Sequence, residues 1–332
     1  MTAAQRAVTV NNYEVIYGRA LSYIFMNDLC VVLGANGFIG SHLVESLLER
    51  GMQVRVFVRN KEKTKNLKTP KKLHSIAYGD FNNRNEVEKA VKGGTYVFDF
   101  IASSTPASSY LHSEDEIKLH LLPTVRLLEI CQKNNIRKVI FPSSGGSVYG
   151  NLGNKNAKEN DFLNPLSPHA VTKVAIEKFL YCYWVNYKLD YVIYRISNVY
   201  GERQKFKRLQ GIIPAVLTKA VKNEVLDIYG NSVRDYIYVK DVVDFIANNF
   251  DKNHQNKIYN IGSGVGVSIK ELLNIIEEET RLKLKVRLKE RRPIDVERIV
   301  LDIERISKEF SFKPSVDLRE GVRKFINAQT FR

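Results

Sequence analysis

An α/β fold is predicted for this chain: a doubly wound parallel sheet with a smaller C-terminal lobe. Three observations predict it. Short apolar runs alternate with helix-like stretches from Leu29 to about Asn198, a rhythm that suits a parallel sheet covered by helices on both faces. A glycine-rich turn, Gly34, Gly37 and Gly40, follows the first run directly and opens a helix. After about Gly201 the rhythm gives way to short strands and helices in mixed order.

The elements follow in order. LCVVL (29–33) is a short buried-type strand, and a helix runs from about Phe38 to Arg50. QVRVFV (53–58) is the second strand and KLHSIAYGD (72–80) holds the third. NNRNEVEKAVKG is a helix closed by glycine, and TYVFDFIA (95–102) is the fourth strand. EDEIKLHLLPTVRLLEICQKN is one long helix, with Pro123 inside it as the place for a kink. RKVIFPSS (137–144) is the fifth strand, PLSPHAVTKVAIEKFL begins the next helix, and DYVIYRISN (190–198) is the sixth strand. GIIPAVLTKAV, EVLDIYG, RDYIYVKDVVDFIANNF, KIYNIG and SIKELLNIIEEET then make up the lobe. No repeat period and no low-complexity segment is visible.

The 332 residues, 44% of them hydrophobic, allow one large domain with a lobe, or two domains. No run of eighteen apolar residues is present, so no membrane span is expected. Cys30, Cys131 and Cys182 are too few and too scattered for a disulfide framework. They fit a reduced, cytoplasmic compartment and are expected in the core. The net charge of +15 would attract polyanions. Its clusters (61–72, 205–208 and 283–292) come without zinc-finger spacing, a helix-turn-helix or an RNA-binding aromatic signature. Nucleic acid is therefore not an expected partner. An anionic small substrate accounts for part of the bias, and no metal site is expected. The first 25 residues lack a basic start, a continuous apolar core and a small-residue cleavage site, so they make a poor signal peptide. Met26 is read as the natural start and the preceding segment as an extension; the alternative is a short element docked on the sheet.

The glycine turn carries the first chemical reading. Gly34 permits the tight turn, Gly37 lets backbone approach a pyrophosphate, and Gly40 lets the helix pack closely on the strand. The helix start at Phe38 and Ile39 offers free N–H groups and a positive dipole end to that pyrophosphate. A dinucleotide-binding domain over 28–200 follows, with 1–27 as the extension. Residues 201–332 are then a smaller lobe interleaved with the main domain. The second strand ends on Val58 rather than a carboxylate, and Arg59 follows; an arginine there suits the 2′-phosphate of NADP. Asp80, in YGDF beside Phe81, is placed to accept a hydrogen bond from an adenine amino group.

GANGFIG, YGDF, FIASSTPASS, FPSSGGSVYG, PLSPHAVTKVAIEKFL, RISNVYG and RDYIYVKDVVDF occur in an order that resembles the extended short-chain dehydrogenases/reductases. More narrowly, residues 28–320 resemble the NAD-dependent epimerase/dehydratase group acting on nucleotide sugars, with UDP-glucose 4-epimerase as the nearest well-known type. The resemblance implies a Rossmann-like domain over 28–200 and a mainly substrate-binding lobe over 201–332, an NAD or NADP cofactor, a nucleotide-sugar substrate, a homodimer, a place in surface-polysaccharide synthesis, and C4 inversion by transient hydride transfer. It implies that Lys173 binds the nicotinamide ribose and that Ala102 belongs to the cofactor wall. Asn198, Arg234 and Arg292 fall at positions contacting the substrate diphosphate. Ser103, with Ser104 and Thr105, falls where a loop passes nicotinamide and sugar.

Three positions depart from the family pattern. His169 stands where a catalytic tyrosine is expected, four residues before Lys173 and so on the same helix face. Gly145 stands at the usual serine or threonine position, which leaves Ser144 or Ser147 to supply the hydroxyl; Ser144 is the choice. Val58 replaces the acidic residue. A neutral imidazole at His169, its pKa depressed by Lys173, could accept a proton as a base. Gly146 and Ser147 stand where a dehydratase would carry an Asp-Glu pair. The epimerase is the favoured reading; the alternatives are a protein that binds a nucleotide sugar or dinucleotide without turnover, and an NADP-dependent keto-sugar reductase.

Overall fold

The computed structural model describes residues 28–64, 66–102, 104–204, 211–255, 257–291 and 296–328. The extension 1–27, Ser103 and Arg292 lie outside them. Seven parallel strands form the main sheet: β1 (Leu29–Leu33), β2 (Gln53–Val58), β3 (Ser75–Tyr78), β4 (Tyr96–Asp99), β5 (Lys138–Ser144), β6 (Asp190–Ile196) and, beyond β7 (Asn198–Tyr200), β8 (Leu226–Tyr229) and β9 (Val233–Tyr238), the edge strand β10 (Ile258–Ile261). Their order is β10-β6-β5-β4-β1-β2-β3. The chain builds outward from β1 to β3, then returns to the other side of β1 for β4. The strand order therefore reverses between β1 and β4, and the crevice at the carboxyl ends of those two strands is where such sheets bind ligands.

Side chains alternate between the faces of the sheet. Cys30 and Val32 pack with Leu43, Leu47, Val243 and Ile246, on the side of the helices Phe38–Glu49 and Val239–Asn249. Leu29, Val31 and Leu33 pack with Val87, Leu127 and Ile176, on the side of the helices Arg84–Val91, Leu122–Lys133 and Pro168–Tyr187. Two buried faces explain why β1 is apolar at every position.

The lobe centres on β9, which pairs with β7, with β11 (Gly266–Ser268) and with β13 (Arg298–Ile299); β12 (Val286–Lys289) pairs with β8. Its own core joins Ile213, Leu217, Tyr236, Leu272 and Phe325.

Three expectations need correction. KIYNIG, expected in the lobe, supplies β10 of the main sheet, paired in register with β6 from Ile258 opposite Ile193. Its apolar, β-branched residues suit a strand buried by helices. The long helix runs unbroken from Ser113 to Lys133 but is not regular throughout: an α-helical turn, Ser113–Glu116, leads into a wider π turn at Ile117–Leu121, and Leu122–Lys133 follows. Proline lacks the N–H that would bond back along the helix, and the ladder opens in the turn before it. Cys30 and Cys131 are buried, but Cys182 is exposed.

His254 lies under the edge of the main sheet. Its Nδ1 is 3.3 Å from Lys138 Nζ and its Nε2 is 3.2 Å from the Tyr194 hydroxyl. Burial, then the Lys138 charge, pushes its pKa from 6.5 down to about 4. Between those values the unfolded chain holds a proton that the folded chain does not, so stability is lost as pH falls through this window. Thermal unfolding should shift to lower temperature on acidification from pH 6.5 to about 4. The slope should be shallower in His254→Phe.

Candidate active site

The glycine turn builds the first wall. Gly34 has φ +77°, and a Cβ on it would sit 2.4 Å from Phe100 O at the end of β4. A Cβ on Gly40 would sit 2.4 Å from Gly34 O, so this glycine lets the helix press on the turn. Gly37 caps the helix without a side-chain bond, and the first N–H to donate into the helix is that of Ser41, to Gly37 O. The N–H groups of Phe38, Ile39 and Gly40 precede it and fall among the groups a helix leaves unpaired. Gly37–Gly40 line the main cavity, which has a volume of about 460 Å³. This uncapped helix start fits a dinucleotide pyrophosphate.

The opposite wall comes from β5 and the helix Pro168–Tyr187. Pro168 sits in its first turn and Ser167 caps it, accepting from the Ala170 N–H at 3.2 Å. This fixes His169 at the start of the helix and Lys173 one turn on; both line the cavity with Ala102, Ser104, Thr105, Ser144 and Asn198. Lys173 Nζ donates to Pro142 O at 2.9 Å and lies 4.5 Å from the centre of the Phe141 ring. Burial lowers its pKa, while Asp99, Glu116 and Glu177 pull it back up.

His169 Nδ1 is 3.1 Å from Ser104 Oγ and 3.8 Å from Glu116 Oε2. Burial, then the charges of Lys173 and His120, pushes its pKa down to about 3. The ring is therefore neutral at ordinary pH, and the contact with Glu116 is not an ion pair in that state. A second, water-sized cavity behind His169 is lined by Glu116, His120, Thr124 and Lys173. Burial raises the pKa of both Glu116 and Asp99 and lowers that of His120 to about 4.

The remaining residues picked from sequence divide. Gly145 has no room for the hydroxyl residue of the family: a Cβ there would meet Leu301 Cδ1 at 2.6 Å and Arg195 O at 3.0 Å. Ser144 faces the cavity, whereas Ser147 Oγ is buried without a hydrogen-bond partner. Asn198 donates its amide to Asp235 O at 3.0 Å. Arg234 does not line the cavity; its guanidinium donates to Val296 O at 2.6 Å, Val233 O at 2.9 Å and Glu297 O at 3.3 Å. Val58 is buried in the core, so the first exposed residue beyond β2 is Arg59. Asp80 is exposed, and its Oδ1 accepts from the Asn82 backbone and side chain. These bonds lower its pKa, and the Arg59 charge adds to the effect. Phe81 packs against the core rather than the cavity. Glu116 and His120 were missed from sequence. The signal was there, an acidic residue and a histidine four positions apart, but only the wide turn at Ile117–Leu121 and the packing on Lys173 give it meaning.

Among the described residues no cluster of His, Cys, Asp or Glu could hold a metal, and no helix is long and apolar enough to cross a membrane.

A family model described as the NAD dependent epimerase/dehydratase family matches residues 30–262. A Methanocaldococcus jannaschii protein provisionally named UDP-glucose 4-epimerase is 34% identical over 302 residues, covering 90% of this chain and 97% of its own. The crystal structure of Thermus thermophilus UDP-glucose 4-epimerase complexed with NAD superposes with a TM-score of 0.82 at 30% identity, covering 90% of this chain and 98% of that one. UDP-N-acetylglucosamine 4-epimerase from Methanobrevibacter ruminantium, in complex with UDP-N-acetylmuramic acid, gives a TM-score of 0.83 at 30% identity, covering 91% and 98%.

Proposed function

The chain belongs to the NAD dependent epimerase/dehydratase family, and on that premise we propose that it is a nucleotide-sugar epimerase inverting C4 of a UDP-hexose or UDP-N-acetylhexosamine. The observation that carries the reading is the shared cavity: the uncapped helix start at Gly37–Gly40 faces Ser144, His169, Lys173 and Asn198 across it. A nicotinamide dinucleotide bound there would supply a reversible two-electron acceptor. The helix start would hold its pyrophosphate, and Lys173 its ribose. Neutral His169 takes the proton of the sugar hydroxyl and later returns it, while Ser144 donates to the reacting oxygen. Arg59, exposed beyond β2 with no carboxylate beside it at Val58, favours a 2′-phosphate and hence NADP. The relatives' NAD favours the unphosphorylated form. Mass spectrometry of the co-purifying nucleotide distinguishes them.

The test is NMR observation of C4 inversion with UDP-glucose, UDP-galactose and their N-acetylhexosamine counterparts, NAD and NADP being supplied separately. Turnover is expected in the wild type, falling about 10²-fold in His169→Ala, as for loss of a general base. No turnover with any of these sugars counts against the reading.

A homodimer belongs to the same proposal. Ile117, Leu119 and Leu122 on one helical stretch and Tyr181, Trp184 and Val185 on the neighbouring helix are exposed apolar side chains. Their helices pack side by side, and such a patch marks an association surface. Sedimentation equilibrium should report twice the 38.1 kDa chain mass; a monomer would remove the dimer from the proposal.

A further inference from the structure

We propose that Glu116, together with the Ser104 hydroxyl, fixes His169 in the tautomer whose Nδ1 is protonated and whose Nε2 lone pair is bare. In the epimerase reading, on which the catalytic consequence rests, that lone pair is the one that receives the sugar proton.

Two oxygens face His169 Nδ1, Ser104 Oγ at 3.1 Å and Glu116 Oε2 at 3.8 Å. A carboxylate has only lone pairs, and its charge favours a hydrogen on the ring nitrogen that faces it. The Ser104 hydroxyl, which can donate or accept, then accepts from Nδ1. Nδ1 must therefore carry the ring hydrogen, and the neutral ring leaves Nε2 free. His169 is held on both sides of this contact: its backbone N–H donates to Ser109 Oγ at 3.2 Å, and its ring lies between the two cavities.

Glu116 is an unlikely residue to bury without a task. It is 2% exposed, and its Oε2 has no hydrogen-bond partner. That oxygen lies 3.8 Å from Nδ1. A buried carboxylate oxygen left unpaired carries a desolvation cost. The charge has a use if a cation forms next to it. When Nε2 takes a proton, the imidazolium is created beside Lys173, and Glu116 is the counter-charge on its other side. The proton balance closes: the O–H bond of the sugar breaks, an N–H bond forms at Nε2, and the same proton returns to the sugar oxygen at the end of the cycle. Asp99 serves Lys173 instead, and Thr124 donates to it at 3.1 Å. His120, also facing this space, is itself neutral and adds no counter-charge. Glu116 is thus a positioning residue: it lines the small cavity behind His169 and not the main one.

The experiment reads the tautomer directly. Full-length protein labelled with ¹⁵N-histidine is examined by long-range ¹⁵N–¹H NMR at neutral pH, with His169→Gln identifying the His169 signals by their loss. The wild type should show a protonated Nδ1 and a bare Nε2. Glu116→Gln and Ser104→Ala should each move the ring toward the Nε2-protonated form. In the turnover assay the same two variants should lose about 10²-fold in kcat, with KM changed by no more than roughly twofold, because a group acting only on the base leaves substrate binding in place. A wild-type His169 protonated at Nε2, or a spectrum that neither variant alters, overturns the proposal. A wild type with the expected tautomer but no turnover of any nucleotide sugar supports the pair and sinks the epimerase reading instead.

Discussion

Lys173→Met should lower kcat by about 10³-fold or more, with the acid limb of the pH–rate profile displaced upward. The Lys173 ammonium is held by two neighbours, the Pro142 carbonyl and the Phe141 ring. It is the cation that three carboxyl groups share: Asp99, Glu116 and Glu177 all act on it. Its charge also helps keep His169 and His120 neutral. Methionine fills similar space without charge. His169 then loses a neighbour that opposes protonation, so its pKa rises and the ring spends more time already protonated. Asp99 and Glu116 lose the charge that opposes their burial, so their pKa values rise further. Both changes put protons where a base needs none. Lys173→Arg should not restore activity, because a planar guanidinium cannot replace a compact ammonium in this niche. The measurement is kcat against pH for the three proteins, with the amount of bound dinucleotide read in parallel. An unchanged acid limb in the methionine variant would show that Lys173 does not set the protonation of His169.

Glu177→Ala should cost about 3–5 kcal/mol of stability, the scale for breaking a buried ion pair by removing one partner. Glu177 faces Arg195 in a two-pronged pair, Nη2 to Oε2 at 2.6 Å and Nε to Oε1 at 3.1 Å, with both side chains 3% exposed. Ser143 Oγ donates to the same carboxylate at 2.5 Å, and Arg195 Nη1 donates to Tyr149 Oη and Glu159 O at 3.0 Å each. The network ties β5, β6 and the helix Pro168–Tyr187 together just below His169 and Lys173. Removing the carboxylate leaves a guanidinium in the core without a counter-charge. Glu177→Gln keeps the shape but not the charge and should destabilise by an intermediate amount. Urea unfolding of the three proteins measures this; a loss in the alanine variant of under about 1 kcal/mol would mean that water or rearrangement satisfies Arg195.

What was legible in the sequence is what local rules encode. Gly34, Gly37 and Gly40 announce a turn and a helix start because Gly34 takes a positive φ and a Cβ on Gly37 or Gly40 would press on Gly34 O a few residues away. His169 and Lys173 were readable as a pair because one helical turn separates them. The strands of the main sheet declare themselves by apolar runs between helices. KIYNIG shows the limit: nothing local says which sheet a short apolar strand joins, and β10 belongs with β6, more than sixty residues earlier in the chain. Arg234 shows another. Its type suits a phosphate, but its partners are carbonyls of the 233 and 296–297 segments, fixed by tertiary packing. Gly145 was read as a lost hydroxyl; with Leu301 against it, the position has no space for one. Glu116 takes its meaning only from the tertiary fold, because His169, whose Nδ1 it faces, comes from another segment.

The return of the chain into the main sheet at β10 bears on how such an enzyme can be inherited or dismantled. Val242, Val243, Phe245 and Ile246 cover the β1 face, and Ile258–Ile261 completes the sheet edge, although both segments follow residues that build the lobe. The lobe is therefore not a cassette. A truncation after residue 200 would strip one face of the sheet of its cover and remove its edge, so no shortened gene product could keep the nucleotide fold while shedding substrate recognition. Variation in sugar preference has to arise by substitution and loop change within one inseparable body.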